Sequence, residues 1–260
     1  MTVMLRHGSG GCGVPVTDYD RPADPVLARI ARNVVACRRC PRLVAYLDAC
    51  RARWPDHRCR PVPGFGDPRP RLVIVGLAPG IHGAGRTGRM FTFDSSGQWL
   101  YGMLHEVGLA SRPVSERPGD GLELPGVYIA AAARCAPPDN KPLPAELAAC
   151  RPYLEAELRR LTGARVLLAL GRIAHESILR IYDVKPANYP FSHGSEHRLP
   201  DGRLLLDSYH PSRQNTNTGR LTLPMWRAIF RRARALTTKV TVTFAVSDKT
   251  DRHVRRRRQK

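Results

Sequence analysis

Short apolar runs of strand length, separated by segments with helical spacing, predict an α/β fold: one domain of three layers built on a central parallel four-stranded sheet. Three observations point that way. Arg71–Val75 and Val166–Leu170 are continuous apolar runs, as expected of strands buried on both faces. Val127–Ala133 is another such run, and Leu204–Tyr209 is a strand-like segment that opens on three leucines. The stretches between them are long enough to hold crossover helices, and such crossovers are right-handed and give parallel strands.

The elements follow in order. Residues 1–24 are rich in glycine, proline and polar residues and read as a flexible N-terminal arm. Asp24 is a suitable N-cap, and proline is tolerated in a first turn, so Pro25–Val35 reads as a helix. Leu43–Trp54 reads as a second helix. The proline- and glycine-punctuated stretch from Pro61 to Pro70 is a connection that ends at the first strand. Gln98–Val107, Pro144–Leu161, Ile173–Tyr182 and Leu221–Leu236 carry apolar residues at helical spacing and supply the covering layers. The domain is expected over residues 25–236. Residues 237–260, with Arg255–Arg258 in a row, read as a solvated, basic tail.

Composition narrows the partner. The chain has 42 Lys plus Arg against 22 Asp plus Glu, a formal charge of +20 over 260 residues, so it attracts polyanions. No apolar run is long enough to span a membrane, and there is neither a repeat nor a heptad pattern. Seven cysteines, an odd number, without a secretory signal argue against a disulfide framework and for a reducing cytoplasm. Cys37 and Cys40 form a Cys-x2-Cys pair, and Cys135 and Cys150 form a second, wider pair. Four thiolates at such spacings can hold one iron–sulfur cluster or one tetrahedral zinc, or can be buried structural cysteines with no metal. Cys12, Cys50 and Cys59 fit neither pair and read as free thiols.

Two loops carry the chemistry. The strand at Arg71–Val75 leads into Gly76–Asp94, with five glycines between Gly76 and Gly88 that let backbone approach a ligand. This loop is neither a Walker loop nor a Gly-x-Gly-x-x-Gly dinucleotide loop. The strand at Leu204–Tyr209 leads into His210–Arg220, which sets one imidazole among hydrogen-bonding side chains at the carboxyl end of a strand, where open α/β sheets bind ligands. The plainer reading is a polar strand-to-helix loop with a capping serine.

The loops match a family. Gly76–Gly80 with His82–Gly83, Arg86–Arg89 and Phe91–Asp94, then Arg134–Pro142, then His210–Gly219, resemble the uracil-DNA glycosylases of the iron–sulfur branch, and within it family 5, the type B enzymes of prokaryotes. The resemblance covers residues 30–236. It implies a uracil-glycosylase fold, a [4Fe–4S] cluster on Cys37, Cys40, Cys135 and Cys150, and hydrolytic removal of uracil from DNA by a monomeric, nucleoid-associated enzyme. Phe91 takes the base-stacking position, since the base must leave the duplex to be reached. His210 is the donor to the departing base anion, Asp94 handles water or the positive sugar, and Asn140 meets the base edge or the water. Gly76, Ala78 and Gly80 line the base pocket. Ser212, Arg213, Gln214, Asn215 and Arg86 meet DNA phosphates or the gap left by the base.

The sequence departs from the family's pattern in places. The related type A branch has Glu at the position of Leu77 and Asn near Ala131. Gly85 and Phe93 stand where Asn and Gly are expected. Loss of polar readout implies a wider base range that takes in hypoxanthine and ethenocytosine. Phe91 also reads as plain core, and Asp94 as a simple cap for the helix beginning near Ser96. Two other classes compete: a non-catalytic DNA-binding module with a structural iron–sulfur or zinc site, and a zinc hydrolase using His82 and His210, although no His-Glu-x-x-His pattern is present.

Overall fold

Four parallel strands form the centre of the molecule: β2 (Leu72–Gly76), β3 (Val127–Ala131), β4 (Val166–Leu170) and β6 (Leu204–Ser208), with β1 (Phe65–Gly66) and β5 (Glu196–Arg198) on the two edges. The computed structural model describes residues 22–238. Residues 1–21 of the expected arm and 239–260 of the expected tail lie outside them. The strand order is β1-β3-β2-β4-β6-β5. The inner pairs are parallel and in register, Ile74 beside both Ile129 and Leu168, and Leu168 beside Leu206. The edge strands pair antiparallel with β3 and β6. The sequence reading missed these two. With two and three residues they are too short to show a period.

Side chains alternate across the sheet and build two cores. On one face Ile74, Ile129, Leu168 and Leu206 pack with Leu100 and Leu104 of α4 (Ser95–Glu106) and with Trp226 and Phe230 of α8 (Leu223–Thr238). On the other, Val73, Val75, Leu167 and Leu205 pack with α1 (Pro25–Val35), α5 (Pro144–Arg160) and α6 (Arg172–Ile181). Each such buried side chain is worth about 1.5–3 kcal/mol. The helices thus cover both faces, the three layers expected. No helix among the described residues is long and apolar enough to cross a membrane.

Boundaries follow local chemistry. Asp24 caps α1, accepting from the amides of Val26 and Leu27, both at 3.0 Å. Helix α2 (Pro41–Arg53) begins two residues before the expected Leu43 because Pro41 fits the first turn. Helix α8 starts at Leu223, not Leu221, whose amide instead donates to the carbonyl of Asn215 at 3.0 Å. The third strand stops at Ala131, but Ala132 and Ala133 still donate to the carbonyls of Gly76 and Leu77, both at 2.9 Å.

A buried polar group braces the second core. The Arg134 guanidinium pairs with Glu157 of α5, and the hydroxyl of Tyr128 on β3 donates to the same carboxylate at 3.0 Å. Both members of the ion pair are 1% exposed, so removal of either leaves an uncompensated buried charge. Arg134 directly precedes Cys135, which joins Leu43, Leu47, Cys50, Cys59 and Ala136 in a small third core that seats α2 on the loop after β3.

Candidate active site

All four inner strands run the same way, so the loops after β2, β3, β4 and β6 leave from one edge of the sheet. The first of them folds upon itself. The amides of Gly83 and Gly85 both donate to the carbonyl of Gly80, at 3.2 and 2.8 Å, before the single turn of α3 (Ala84–Thr87). Those two amides are therefore spent within the loop and do not face a ligand. Beyond α3 the chain takes two left-handed residues, Phe91 at φ 59° and Phe93 at φ 63°, a conformation that costs a non-glycine residue about 1–2 kcal/mol.

Buried anchors hold that turn. The fully buried Arg89 donates to Asp120 at 2.7 Å and to the Ser115 hydroxyl at 3.2 Å, with its guanidinium carbon 4.5 Å from the Phe65 ring centre. Burial would raise the Asp120 carboxyl, but the Glu116 amide, Arg89 and the Leu122 amide hold it down to about 2. The hydroxyls of Thr92 and Ser115 lie 3.0 Å apart, and Tyr101 donates to the Met90 carbonyl at 2.7 Å. Gly76 ends β2 directly beneath the ring of Phe91. A Cβ there would stand 2.8 Å from Phe91 Cζ, so only glycine lets the ring lie across the strand end.

His210 arrives from the other side. Asn215 Nδ2 donates to the His210 carbonyl at 2.8 Å, and Ser96 of α4 donates to the Pro211 carbonyl at 3.0 Å. Ser212 caps the short helix α7 (Arg213–Asn217), as the plainer reading of this loop expected. Gly171, at φ 97°, stands after β4; a Cβ there would touch Cβ of His210 at 3.4 Å. The rings of Phe91 and His210 face each other with centres 6.2 Å apart and planes 27° apart. Burial, with no acidic partner, pushes the His210 imidazole down to about 4. At neutral pH it is an uncharged ring carrying one N–H.

A cleft of about 550 Å³ opens beside His210, lined by Leu77, Arg172, Phe191, Tyr209, Gln214 and Arg220 among others. The guanidinium carbons of Arg172 and Arg220 lie 5.2 Å from the Phe191 ring centre and 4.7 Å from that of Tyr209. Among the described residues no acid lines the cleft. Sequence reasoning passed over Arg172 and Phe191, and it included Arg220 in the His210–Arg220 loop without giving it a role. The position of Arg172 just after a parallel strand was the available signal. It also passed over His193, whose Nδ1 accepts from the Tyr209 amide at 3.2 Å and so steadies the main chain next to His210.

The other expected residues divide. Asp94 caps α4, accepting from the Gly97 amide at 2.7 Å through Oδ1. Burial raises its carboxyl, opposed by the amides of Gly97 and Ser96 and by the charge of Arg213. Its Oδ2 lies toward Gly80 and Gly83. Ala78 and Gly80 are half-buried on the same loop, and Arg213 and Gln214 are exposed. Arg86 is half-exposed and paired with Asp56 at 3.1 Å. Asn140 is exposed, at φ 56°, in the turn after β3, which leaves from the same edge of the sheet. His82 does not approach His210 as a zinc site would need. Its Nδ1 lies 3.2 Å from Nε2 of His57, and its ring packs on Trp54.

Cys37, Cys40, Cys135 and Cys150 line one small cavity between α2, α5 and the loop after β3. The Arg134 amide donates to Cys150 Sγ at 3.2 Å. Two nitrogens of the Arg134 guanidinium, Nε and Nη1, are buried without a partner. Burial raises the thiols of Cys150, to about 11, and of Cys40 and Cys135, and the neighbouring cysteines raise them further. Among the described residues no group of three or more His, Cys, Asp or Glu is arranged to hold a metal ion.

Comparison with known proteins adds the lineage. The model of the uracil DNA glycosylase superfamily matches residues 63–234. A type-5 uracil-DNA glycosylase of Thermus thermophilus is 52% identical over 210 residues, 79% of this chain and 95% of the relative. Its counterpart in Mycobacterium tuberculosis is 47% identical over 78% of this chain and 79% of the relative, and that of Pyrobaculum aerophilum 42% identical over 78% and 90%.

The double duty of Asp94 can be separated. Asparagine caps as well as aspartate, whereas alanine costs about 1 kcal/mol. The raised carboxyl means that the charge itself opposes folding once pH exceeds the usual range of an aspartate. In thermal melts Asp94→Asn is therefore expected to match or exceed the parent at pH 7, with the margin narrowing toward pH 4, and Asp94→Ala to melt lower. An Asn variant that melts as low as the Ala variant would show that the carboxylate charge holds the turn.

Proposed function

The chain belongs to the uracil DNA glycosylase superfamily, and we propose how its own side chains carry out the reaction. It is a DNA glycosylase that removes uracil from DNA by hydrolysing the N-glycosidic bond, a step of DNA repair. The bond breaks with positive charge developing on the sugar and negative charge on the leaving pyrimidine, so the site must steady both. Nothing favours a DNA-binding module without catalysis.

The observation that carries the mechanism is the facing of Phe91 and His210 across the strand ends. A uracil turned out of the duplex stacks on Phe91, and the N–H of the uncharged His210 donates to the base as its charge builds. A neutral donor suits this step: it gains strength as the anion forms, without the desolvation cost of a buried imidazolium. Asp94 commits Oδ1 to its cap and keeps Oδ2 for the attacking water or the positive sugar. Asn140, exposed at the same edge and without a side-chain hydrogen bond, has its amide free for the base edge or the water. Arg172, Arg213, Gln214 and Arg220 serve the phosphates. Asn215 and Ser212, beside the DNA contact expected of them, also hold the loop from within.

Three finer readings join this proposal. Leu77, apolar on the wall of the cleft, supports a base range extending to hypoxanthine and ethenocytosine. The enzyme works as a monomer on nucleoid DNA in the cytoplasm. The four cysteines hold a [4Fe–4S] cluster. Four cysteines line one cavity, and burial with the charge of neighbouring cysteines raises the thiols of Cys40, Cys135 and Cys150, so a cationic iron group would keep them ionised together. When bound, the cluster ties α2 and α5 to the loop after β3. The residues that reach it are the four cysteines, with the unpartnered nitrogens of Arg134 offset against its negative charge.

Two experiments test this. His210→Ala is expected to slow single-turnover excision of uracil by about 10²–10³-fold, as for loss of one oxyanion donor, with affinity for undamaged DNA retained through the arginines. A wild-type rate would remove His210 from the mechanism. The purified protein should be brown with four irons per chain, and Cys135→Ser should lose iron and melt lower. Full iron and an unchanged melt in all four single Cys→Ser variants would contradict the ligand set.

A further inference from the structure

Among the described residues Phe93 is the most exposed of the large apolar side chains, 60% accessible, and it lies two residues from Phe91 and one from Asp94. The chain holds it at φ 63°, a conformation natural to glycine. The ring packs in no core. One face is backed by the Arg86 guanidinium, whose carbon is 5.1 Å from the ring centre, and Arg86 is fixed in turn by Asp56 at 3.1 Å. Asp56 is held by His57 Nδ1 at 2.9 Å. A strained backbone that carries an exposed aromatic ring, cation-backed and braced to a second layer, gains nothing within the free protein.

We propose that Phe93 is a DNA wedge: its ring stacks into the base column beside the nucleotide that is turned toward Phe91, and fills the space that nucleotide leaves. The inference rests on the reading of the chain as a uracil-DNA glycosylase and adds a specificity residue to it. The chemistry fits. Apolar side chains inserted between base steps hold a duplex open, an aromatic ring stacks on any base, and Arg86 behind the ring adds positive charge next to the phosphates. Anchoring through Arg89, Thr92 and Asp94 on either side keeps the ring from folding back when it meets DNA.

Phe93→Gly removes the ring and relieves the backbone, so the variant is expected to melt at or above the parent. Its affinity for duplex with a tetrahydrofuran abasic-site analogue should fall about tenfold, the loss of one stacked base, with affinity for intact duplex unchanged. Single-turnover excision of uracil should fall by a similar factor, and Phe93→Trp should restore both. A 2-aminopurine beside an uncleavable uracil nucleotide should be quenched by the parent protein and not by Phe93→Gly. A parent that cuts uracil-DNA, together with a Phe93→Gly variant that equals it in abasic affinity, excision and quenching, overturns the wedge alone. A parent that leaves uracil-DNA uncut overturns both the function and the wedge.

Discussion

The site depends on half-burying an imidazole at the edge of the cleft without giving it an acidic partner. His210 gets no carboxylate, and burial pushes it down to about 4. What it gets is backbone support: Asn215 on its own carbonyl, Ser96 on the next, His193 on the amide before it, and glycine at 171 where a Cβ would press on it. Burial also has a thermodynamic consequence. Between about pH 6.5 and 4 the unfolded chain takes up a proton that the folded chain refuses, so this residue subtracts stability as pH falls through that range. The protein carries a destabilised group for the sake of a donor whose hydrogen bond strengthens as negative charge appears.

The opposite wall follows the same logic with different means. Phe91 stands in a left-handed conformation because Arg89, Thr92, Tyr101 and Asp94 fix the backbone on both sides of it. Strain of this kind persists only where the surroundings over-determine it. The surroundings are polar contacts buried behind the loop, so the ring is placed before any substrate arrives. Parallel strands bring both walls to one edge, and the arginines of α6 and of the loop after α7 supply a field that gathers phosphate there.

Much of this was legible in the residues. The four inner strands were visible as apolar runs, and the helix at Pro25–Val35 matched its expected limits because Asp24 and Pro25 are strong local signals. The pairing of the Gly76–Asp94 loop with the His210 loop was legible too, since parallel crossovers send every strand's carboxyl end to the same edge. What was hidden depends on distance in sequence. Arg89 with Asp120 is an ordinary arginine and an ordinary aspartate until the fold buries both. His193 reads as a loop histidine until it meets the amide of Tyr209. The hydrogen bond from Asn215 to the His210 carbonyl was hidden too, since only coordinates reveal which way an amide points. The edge strands β1 and β5 have no periodic signal because partners, and not their own residues, make them strands.

The central claim is that His210 acts as an uncharged donor. The most direct measurement is a 15N NMR titration of histidine-labelled protein, with the His210 ring signals assigned by their absence from His210→Ala. A ring that stays neutral with one protonated nitrogen from pH 8 down to pH 5, titrating only toward about 4, is the result expected. A His210 signal that titrates at or above about 6.5, the range of an exposed histidine, would contradict it.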